Sequence, residues 1–429
     1  MSNSEDVIRQ RIEAKIGQGQ FIANLLKISR RDSSTVQESF VAQLSHIAVV
    51  LRELLDQNAL TAKFEYQPNK FWSTQAGRSI AFIDGGVANI DLPSAAPIGI
   101  RVGSYIVRPG DESPEREKFN IELSLVDDLF SPEGEVYDDD FIDTAKLRDA
   151  ARIVCEIAAA YRLASAPERP DIIFMHGPLI NPVAPYGLDQ FPSFGLNACR
   201  IFLNDKKAVI EDEERQFVAF YLRVLRLLKE ASIPVVGVVE RSIGREPVVL
   251  NRLLQLLRDR GHLTRQAAQD HLQRVRDYGL NDSSLFDIVL DEGEYLKPVA
   301  IDRQGPESKW PDRWKMWIRD YPRALTSYLK PSAQSAPFRV EGFEGNADLD
   351  TALNLVFHTS RLLPSYGFPV GLDIVDKYAK IPSWMSRGVR GQYQVVLLKK
   401  AIESGDPRAV EFAKRVVAAR GRDWWFRPT

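Results

Sequence analysis

The feature that most constrains the fold of this chain is a short apolar run that ends in a carboxylate and two glycines. Its residues are Ser79-Ile80-Ala81-Phe82-Ile83-Asp84-Gly85-Gly86. An apolar run of this length, bounded by turn residues, predicts a buried strand. We expect Asp84 to lie where the strand leaves the core, with the two glycines turning the backbone sharply beside a ligand. A buried carboxylate needs a charged partner or a metal, although an ordinary Asp-Gly turn gives the same pattern.

The composition is that of a globular protein without an overall basic surface. The chain has 429 residues, of which 44% are hydrophobic and 27% charged, and a formal net charge of -2. Any nucleic-acid site must therefore be a local patch. Cys155 and Cys199 are the only cysteines, which excludes a disulfide scaffold and favours a reducing compartment. No apolar run approaches the roughly 18 residues of a membrane span, so we expect a cytoplasmic protein that does not bind a membrane.

The order of predicted elements indicates a mixed α/β sheet. Helical periodicity covers residues 5 to about 58, and from Arg78 the pattern changes to strands. Three strands separated by short loops predict an antiparallel meander. The segments that follow alternate between helix and strand, which favours later strands joined by right-handed crossovers. The predicted elements are strands at Ile98–Val107 and Phe119–Val126, a helix at Phe141–Ala164, a strand ending at His176, a helix at Glu211–Ala231 and a strand over 233–239.

The chain divides into four predicted segments. They are a helical N-terminal segment (1–70), the first part of the core (71–245), a mostly helical insertion (246–330) and a C-terminal part with a helical tail (331–429). The insertion ends in a basic and aromatic stretch, Trp310 to Lys330. Such a mixture can follow a phosphate backbone and stack bases, or it can place aromatics in the core and basic residues in solvent. The aromatic tail at 423–427 is expected to dock on this chain, on a second copy or on a partner.

Three chemistry-bearing residues can converge once this topology is drawn. Asp84 belongs to the first strand, Glu156 to the first crossover helix and His176 to the end of the fourth strand. This is the layout of the RNase H-like nuclease fold, in which carboxylates at such points hold divalent cations for phosphodiester cleavage. Oxygen ligands suit Mg²⁺ or Mn²⁺, and a nitrogen ligand favours Mn²⁺.

Several motifs resemble, in their order and spacing, those of the NurA nuclease family. The resemblance runs from about residue 78 to 385. Its motifs are Phe82-Ile83-Asp84-Gly85-Gly86, Arg152-Ile153-Val154-Cys155-Glu156, His176-Gly177-Pro178-Leu179, Val236-Gly237-Val238-Val239-Glu240-Arg241-Ser242, Pro337-Phe338-Arg339-Val340-Glu341 and Tyr366-Gly367-Phe368-Pro369.

The resemblance implies a fold, an activity and partners. Members of that family are manganese-dependent DNA exo- and endonucleases with an RNase H-like core flanked by helices. They form dimers that dock on the hexameric translocase HerA to process DNA ends. By this resemblance Asp84 and Glu156 match two metal-binding carboxylates, and the expected cofactor is Mn²⁺ or Mg²⁺.

The chain departs from the family pattern at two positions. His176 stands where the family usually has aspartate, and Asp376 falls roughly where a histidine is expected. The two departures look like an exchange of ligand types, so Asp84, Glu156, His176 and Asp376 would still offer three carboxylates and one imidazole. Asp373 is three residues from Asp376, shares its helix face and is a further candidate metal ligand.

Two functions remain open at this point. One is a metal-dependent DNA nuclease acting in end repair or in anti-phage defence; the other is a catalytically impaired, NurA-like DNA-binding subunit. Arg339 and Lys377 are candidate phosphate contacts, with surface salt bridges as the alternative interpretation. Arg313 and Lys315 are candidate DNA contacts within the basic and aromatic stretch.

Overall fold

The structure is a computed structural model that describes residues 47–89, 98–126, 129, 144–204, 207–240, 244, 246–345, 349–364 and 366–425. Its strands are β1 Thr61–Lys63, β2 Ile80–Asn89, β3 Ile98–Val107, β4 Glu117–Val126, β5 Ile172–His176, β6 Val235–Val239, β7 Glu294–Leu296, β8 Val299–Ile301, β9 Ala324–Leu329 and β10 Phe338–Phe343. Its helices begin with α1 over 47–57. The others are α2 Pro68–Thr74, α3 Thr144–Ala164, α4 Leu196–Phe202, α5 Phe217–Glu230, α6 Val248–Asp259, α7 Arg265–Asp277, α8 Asp282–Val289, α9 Asp312–Arg319, α10 Leu349–Ser360, α11 Val370–Ala379, α12 Ser383–Glu403 and α13 Pro407–Trp425.

One mixed sheet organises the described part of the chain. Its strand order is β1-β7-β9-β10-β6-β5-β2-β3-β4, with β8 paired to β9. The centre is parallel, since β5 pairs in parallel with both β2 and β6. The meander β2-β3-β4 on one side and the β6-β10-β9 group on the other are antiparallel. The carboxyl ends of β2, β5 and β6 therefore meet at one edge.

Helices cover both faces of this sheet. On one face α3 and α5 pack over Ala81 and Ile83 of β2. On the opposite face α10 and α11 pack over Ile80 and Phe82. A third apolar cluster joins α1, α6 and α8 to β7 and β8. Because side chains alternate along a strand, Asp84 lies on the α11 face and position 85 lies on the α3 face.

Most predicted elements are present, and the largest difference lies in the segment 246–330. The predicted meander, α3 and the strand ending at His176 are observed at or near the predicted bounds, and helices α6 to α8 occupy the first part of the insertion. Its second half, however, supplies β7, β8 and β9 to the sheet. The three-residue strand β1 likewise lies in the N-terminal segment expected to be helical, of which residues 1–46 are outside the described residues. Three residues are too few to carry an alternating pattern.

Where the basic and aromatic stretch forms α9, the second interpretation applies, because aromatic side chains lie in the core. Trp314 and Ile318 are buried in the cluster that contains α5. Lys315 is half-buried and forms an ion pair with Asp312. The predicted docking of the aromatic tail concerns side chains that lie outside the described part. Within the basic and aromatic stretch, α9 therefore packs into the core.

Two helices in contact with each other end the described chain. Helices α12 and α13 contact each other, which agrees with the predicted helical C-terminal addition. None of the described helices combines the length and the apolar character that crossing a bilayer requires.

Candidate metal centre

Asp84 lies inside β2 and not at its end, which corrects the predicted sharp turn at Gly85-Gly86. The strand continues to Asn89, and Gly85 and Gly86 pair with Val102 and Arg101 of β3. The parallel pairing of β2 with β5 stops one residue before Asp84, at Ile83. Strand β2 thus extends beyond β5, and this difference in length places Asp84 beside His176, the last residue of β5.

The two glycines allow close packing from both faces of the sheet. A Cβ atom at position 85 would lie 2.7 Å from Cγ of Glu156, and one at position 86 would lie 2.1 Å from the carbonyl oxygen of Ala379. Both distances are far below van der Waals contact. Glycine at 85 therefore makes room for Glu156 of α3, and glycine at 86 makes room for the end of α11. Tertiary packing thus explains the two glycines, for which the local sequence pattern had predicted a turn.

Asp84, His176 and Asp376 converge on the α11 face of the sheet. One ligand atom from each lies within 4.8 Å of those of the other two. Oδ2 of Asp84 is 3.0 Å from Nδ1 of His176. The backbone N–H of Gly85 donates to Oδ1 of Asp84 at 2.8 Å, which fixes the carboxylate. Two carboxylates and one imidazole at this spacing form a donor set that fits Mn²⁺, or Mg²⁺ with more of its ligands from water.

Glu156 stands next to this trio but is held by a cation. Its side chain is buried over Gly85, and Nη1 of Arg152 contacts Oε1 at 2.9 Å and Oε2 at 3.1 Å. Burial raises the pKa of Glu156 to about 7, with Arg152 opposing and the charge of Asp84 adding to the rise. Glu156 therefore lies within electrostatic reach of Asp84, and its proton can be exchanged near neutral pH.

His176 is held in place by contacts with Phe368 and Asp84. Its ring packs against Phe368 with 5.3 Å between ring centroids. Burial lowers the pKa of His176, but the hydrogen bond that its ring makes to the Asp84 carboxylate and the negative charges of Asp84, Asp376 and Glu156 outweigh it, so the pKa is raised. The excess of negative charge around the imidazole is the electrostatic setting that a divalent cation would neutralise.

Two cations beside the carboxylates were not identified from the sequence. Arg152 binds Glu156 and also Asp149, at 3.0 Å. Lys380 donates to the carboxylate of Asp376, and the charge of Asp84 contributes to the raised pKa of Lys380. Each cation lies four residues from its carboxylate, Arg152 within α3 and Lys380 just after α11, so the spacing alone could have indicated both pairs.

The remaining predicted ligand, Asp373, lies one helical turn before Asp376 and outside the trio. Its carboxylate accepts from Nζ of Lys377 at 2.6 Å. Lys377 is exposed on α11, where both of its predicted roles, phosphate contact and surface salt bridge, are sterically open.

The other predicted DNA contacts occupy different surroundings. Arg313 forms an ion pair with Asp189 and stacks over the Trp314 ring at 4.6 Å. Lys315 pairs with Asp312 at 2.5 Å. Helix α9, which carries both, packs with α5 on the face of the sheet opposite α11. Arg339 has little access to solvent, and its Nε is 2.8 Å from Oε1 of Glu341.

A buried ionic network supports the loop that follows His176. Glu341 of β10 is fully buried, and Arg303 and Arg339 both form ion pairs with it. Oε2 of Glu341 also accepts from the backbone N–H of Leu179 at 3.1 Å. Burial raises the pKa of Glu341, but the two guanidinium groups outweigh it and hold the pKa below its usual value. The network ties β10 to the His176-Gly177-Pro178-Leu179 loop.

Comparisons with known proteins place the chain in a family. A model of the NurA domain matches residues 78–381. The crystal structure of the NurA nuclease from Sulfolobus solfataricus superposes with a TM-score of 0.50 at 13% identity, covering 89% of this chain and 98% of that chain. This likeness supports the predicted fold class, an RNase H-like mixed sheet flanked by helices. No curated protein matches the chain.

Two further crystal structures align less closely. One of NurA has a TM-score of 0.40 at 12% identity, covering 83% of this chain and 95% of that chain. One of NurA bound to dAMP and manganese has a TM-score of 0.37 at 10% identity, covering 82% of this chain and 94% of that chain.

Proposed function

Because the chain belongs to the NurA family, whose domain spans residues 78–381, we propose that it is a divalent-metal-dependent deoxyribonuclease. It hydrolyses phosphodiester bonds of DNA with Mn²⁺, or Mg²⁺, held by Asp84, His176, Asp376 and Glu156. It acts as a homodimer with a HerA-like hexameric translocase, in DNA end processing or in anti-phage defence. Family membership supports the partner and the dimer.

The observation that carries the proposal is the convergence of residues 292 positions apart in the chain. Asp84, His176 and Asp376 present ligand atoms within 4.8 Å of one another. Glu156 of α3 lies beside this trio, in the space that Gly85 leaves open. Structural ion pairs do not require that two carboxylates and an imidazole meet at one point, whereas a metal centre does.

Each side chain has a chemical task in this arrangement. When bound there, a divalent cation would lower the pKa of a water and neutralise charge on the scissile phosphate. The hydrogen bond between Asp84 and Nδ1 of His176 fixes the orientation of the imidazole. Glu156, buried beside Asp84, adds a further carboxylate to the site. Burial of Asp84 and Glu156 keeps bulk water from screening these charges.

A specific contact favours a second candidate, a DNA-binding subunit that does not cut. Arg152 holds both oxygens of Glu156, and Lys380 holds Asp376. If these two cations permanently replace the metals, the carboxylates are neutralised and hydrolysis is lost. Binding of DNA would then remain without cleavage.

A cleavage assay with controlled metal distinguishes the two candidates. Purified full-length protein is incubated with end-labelled single- and double-stranded DNA in Mn²⁺, in Mg²⁺ and in EDTA. We expect cleavage with Mn²⁺, none in EDTA, and recovery when excess Mn²⁺ is added back. Cleavage that survives chelation would contradict the proposal. Binding of DNA without cleavage under every metal condition would establish the second candidate.

A further inference from the structure

A row of aromatic side chains crosses the sheet beside the candidate metal centre. Phe174, Phe82, Tyr105 and Phe119 lie in register on the neighbouring strands β5, β2, β3 and β4. The centroids of neighbouring rings in this order are 5.5, 6.0 and 4.5 Å apart, and the angles between their planes are 21–22°. The first three rings are buried core, but Phe119, on β4, is 48% exposed. The row therefore ends in an aromatic ring that faces solvent.

A second exposed ring lies against the first. Tyr378 of α11 is 44% exposed, and its ring centroid is 5.3 Å from that of Phe119. Ile121, two residues along β4, is also exposed. Because Tyr105 and the rest of the row are packed behind Phe119, the ring cannot fold away into the core. The two rings form a rigid apolar surface, which we name the Phe119–Tyr378 platform.

Positive charge and the candidate metal centre lie on the same helix as the platform. Lys377 precedes Tyr378, and Lys380 directly follows the end of α11. Both side chains are largely exposed and pair with Asp373 and Asp376, respectively. Arg101 donates to the carbonyl of Lys380 at 3.1 Å, which brings a third cation to this end of the helix. Asp376, on the other flank of α11, belongs to the trio with Asp84 and His176. One helix diameter, about 10–12 Å, thus separates the platform from the metal ligands.

We propose that the Phe119–Tyr378 platform binds an unpaired base of the DNA substrate, with Lys377 and Lys380 beside the flanking phosphates. The inference rests on the proposed nuclease function and adds a preference for single-stranded DNA. Every base has a π-face, so stacking on exposed aromatics recognises single strands without reading sequence. In a duplex the bases cover one another's faces, and the platform then has only a terminal or unpaired base to hold.

Binding measured without metal tests the platform separately from cleavage. Fluorescence anisotropy with a labelled single-stranded oligonucleotide in EDTA gives the Kd of each variant. We expect Phe119→Ala and Tyr378→Ala each to weaken binding by about tenfold, as for other stacked bases. Phe119→Leu keeps apolar bulk but removes the ring, and it should weaken binding as well. Phe412→Ala, at an exposed phenylalanine of α13, is the matched control and should leave the Kd unchanged.

A second probe separates stacking from charge. A single strand of the same length made of abasic sugar-phosphate units keeps the charge and lacks the bases. Wild-type protein should bind it less tightly than the ordinary strand, and the platform variants should bind it like wild type. Thermal melts by circular dichroism identify any variant that has lost its fold, and Phe119→Leu remains informative where Phe119→Ala is unfolded.

The outcomes separate this proposal from the nuclease proposal. Unchanged affinity in folded Phe119→Leu and Tyr378→Ala would overturn the platform, even if the protein cuts DNA with Mn²⁺. Equal losses on the abasic probe would also overturn it, since stacking would then not be the cause. A change in molecular mass by light scattering with unchanged DNA affinity would assign the surface to contact between copies. Ring-dependent binding in a protein that never cleaves would keep the platform and reject the nuclease.

Discussion

Asp84→Asn is expected to lower Mn²⁺-dependent DNA cleavage by about 10³-fold while leaving the protein folded, because a bound metal contributes several kcal/mol to such a reaction. Asparagine keeps the shape of the side chain and an oxygen that can accept from the backbone N–H of Gly85, a 2.8 Å hydrogen bond. It removes the negative charge that the trio needs to hold a cation. The initial rate of oligonucleotide cleavage at saturating Mn²⁺ measures the effect.

A matched acidic residue provides the control for Asp84→Asn. Asp259, exposed at the end of α6, forms an ion pair with Arg258. Asp259→Asn makes the same chemical change away from the site and should cut DNA at the wild-type rate. Cleavage by Asp84→Asn at more than about a tenth of the wild-type rate would show that Asp84 is not an essential ligand, since a lost metal contribution is larger.

Glu341→Leu is expected to lower the free energy of unfolding by about 3–5 kcal/mol, the usual cost of breaking a buried ion pair. Leucine fills much of the same volume, so the loss comes from charge and not from a large cavity. Arg303 and Arg339 lose their shared carboxylate, and the backbone N–H of Leu179 loses its acceptor. Urea denaturation followed by tryptophan fluorescence and circular dichroism measures the change.

Glu344→Leu is the matched control for this second substitution. Glu344 follows β10 directly and is exposed, so its replacement should change the free energy of unfolding by no more than about 0.5 kcal/mol. Glu341→Gln restores the acceptor for Leu179 without the charge, and its stability should fall between those of wild type and Glu341→Leu. Equal denaturation midpoints for Glu341→Leu and Glu344→Leu would show that the buried network does not stabilise the fold.

The parts of the fold that the sequence predicts are those with long, regular patterns. Strands β3 and β4 have ten residues each, α3 has 21, and all were predicted close to their bounds. The three-residue strands β1, β7 and β8 were not predicted, since pairing partners elsewhere in the sheet define them. The two glycines after Asp84 show the same limit. Their local pattern is that of a turn, but the close approach of Glu156 and Ala379 explains them.

The candidate site, like the fold, was predicted from the sequence only in part. Asp84, Glu156, His176 and Asp376 were selected by their positions in motifs, and the structure brings three of them within 4.8 Å with the fourth beside them. The charges that surround them depend on rotamers and on distant residues. Arg339 illustrates this. From the sequence it is a candidate phosphate contact, but in the structure it forms a buried ion pair with Glu341. The Phe119–Tyr378 platform likewise arises from a strand and a helix 259 residues apart.

Anomalous diffraction at the manganese edge, from crystals grown with Mn²⁺, tests whether these side chains bind a metal. We expect a manganese peak bounded by Asp84, His176 and Asp376, with Glu156 turned from Arg152 toward the metal. No peak among these side chains, with Arg152 still on Glu156 and Lys380 still on Asp376, would contradict it.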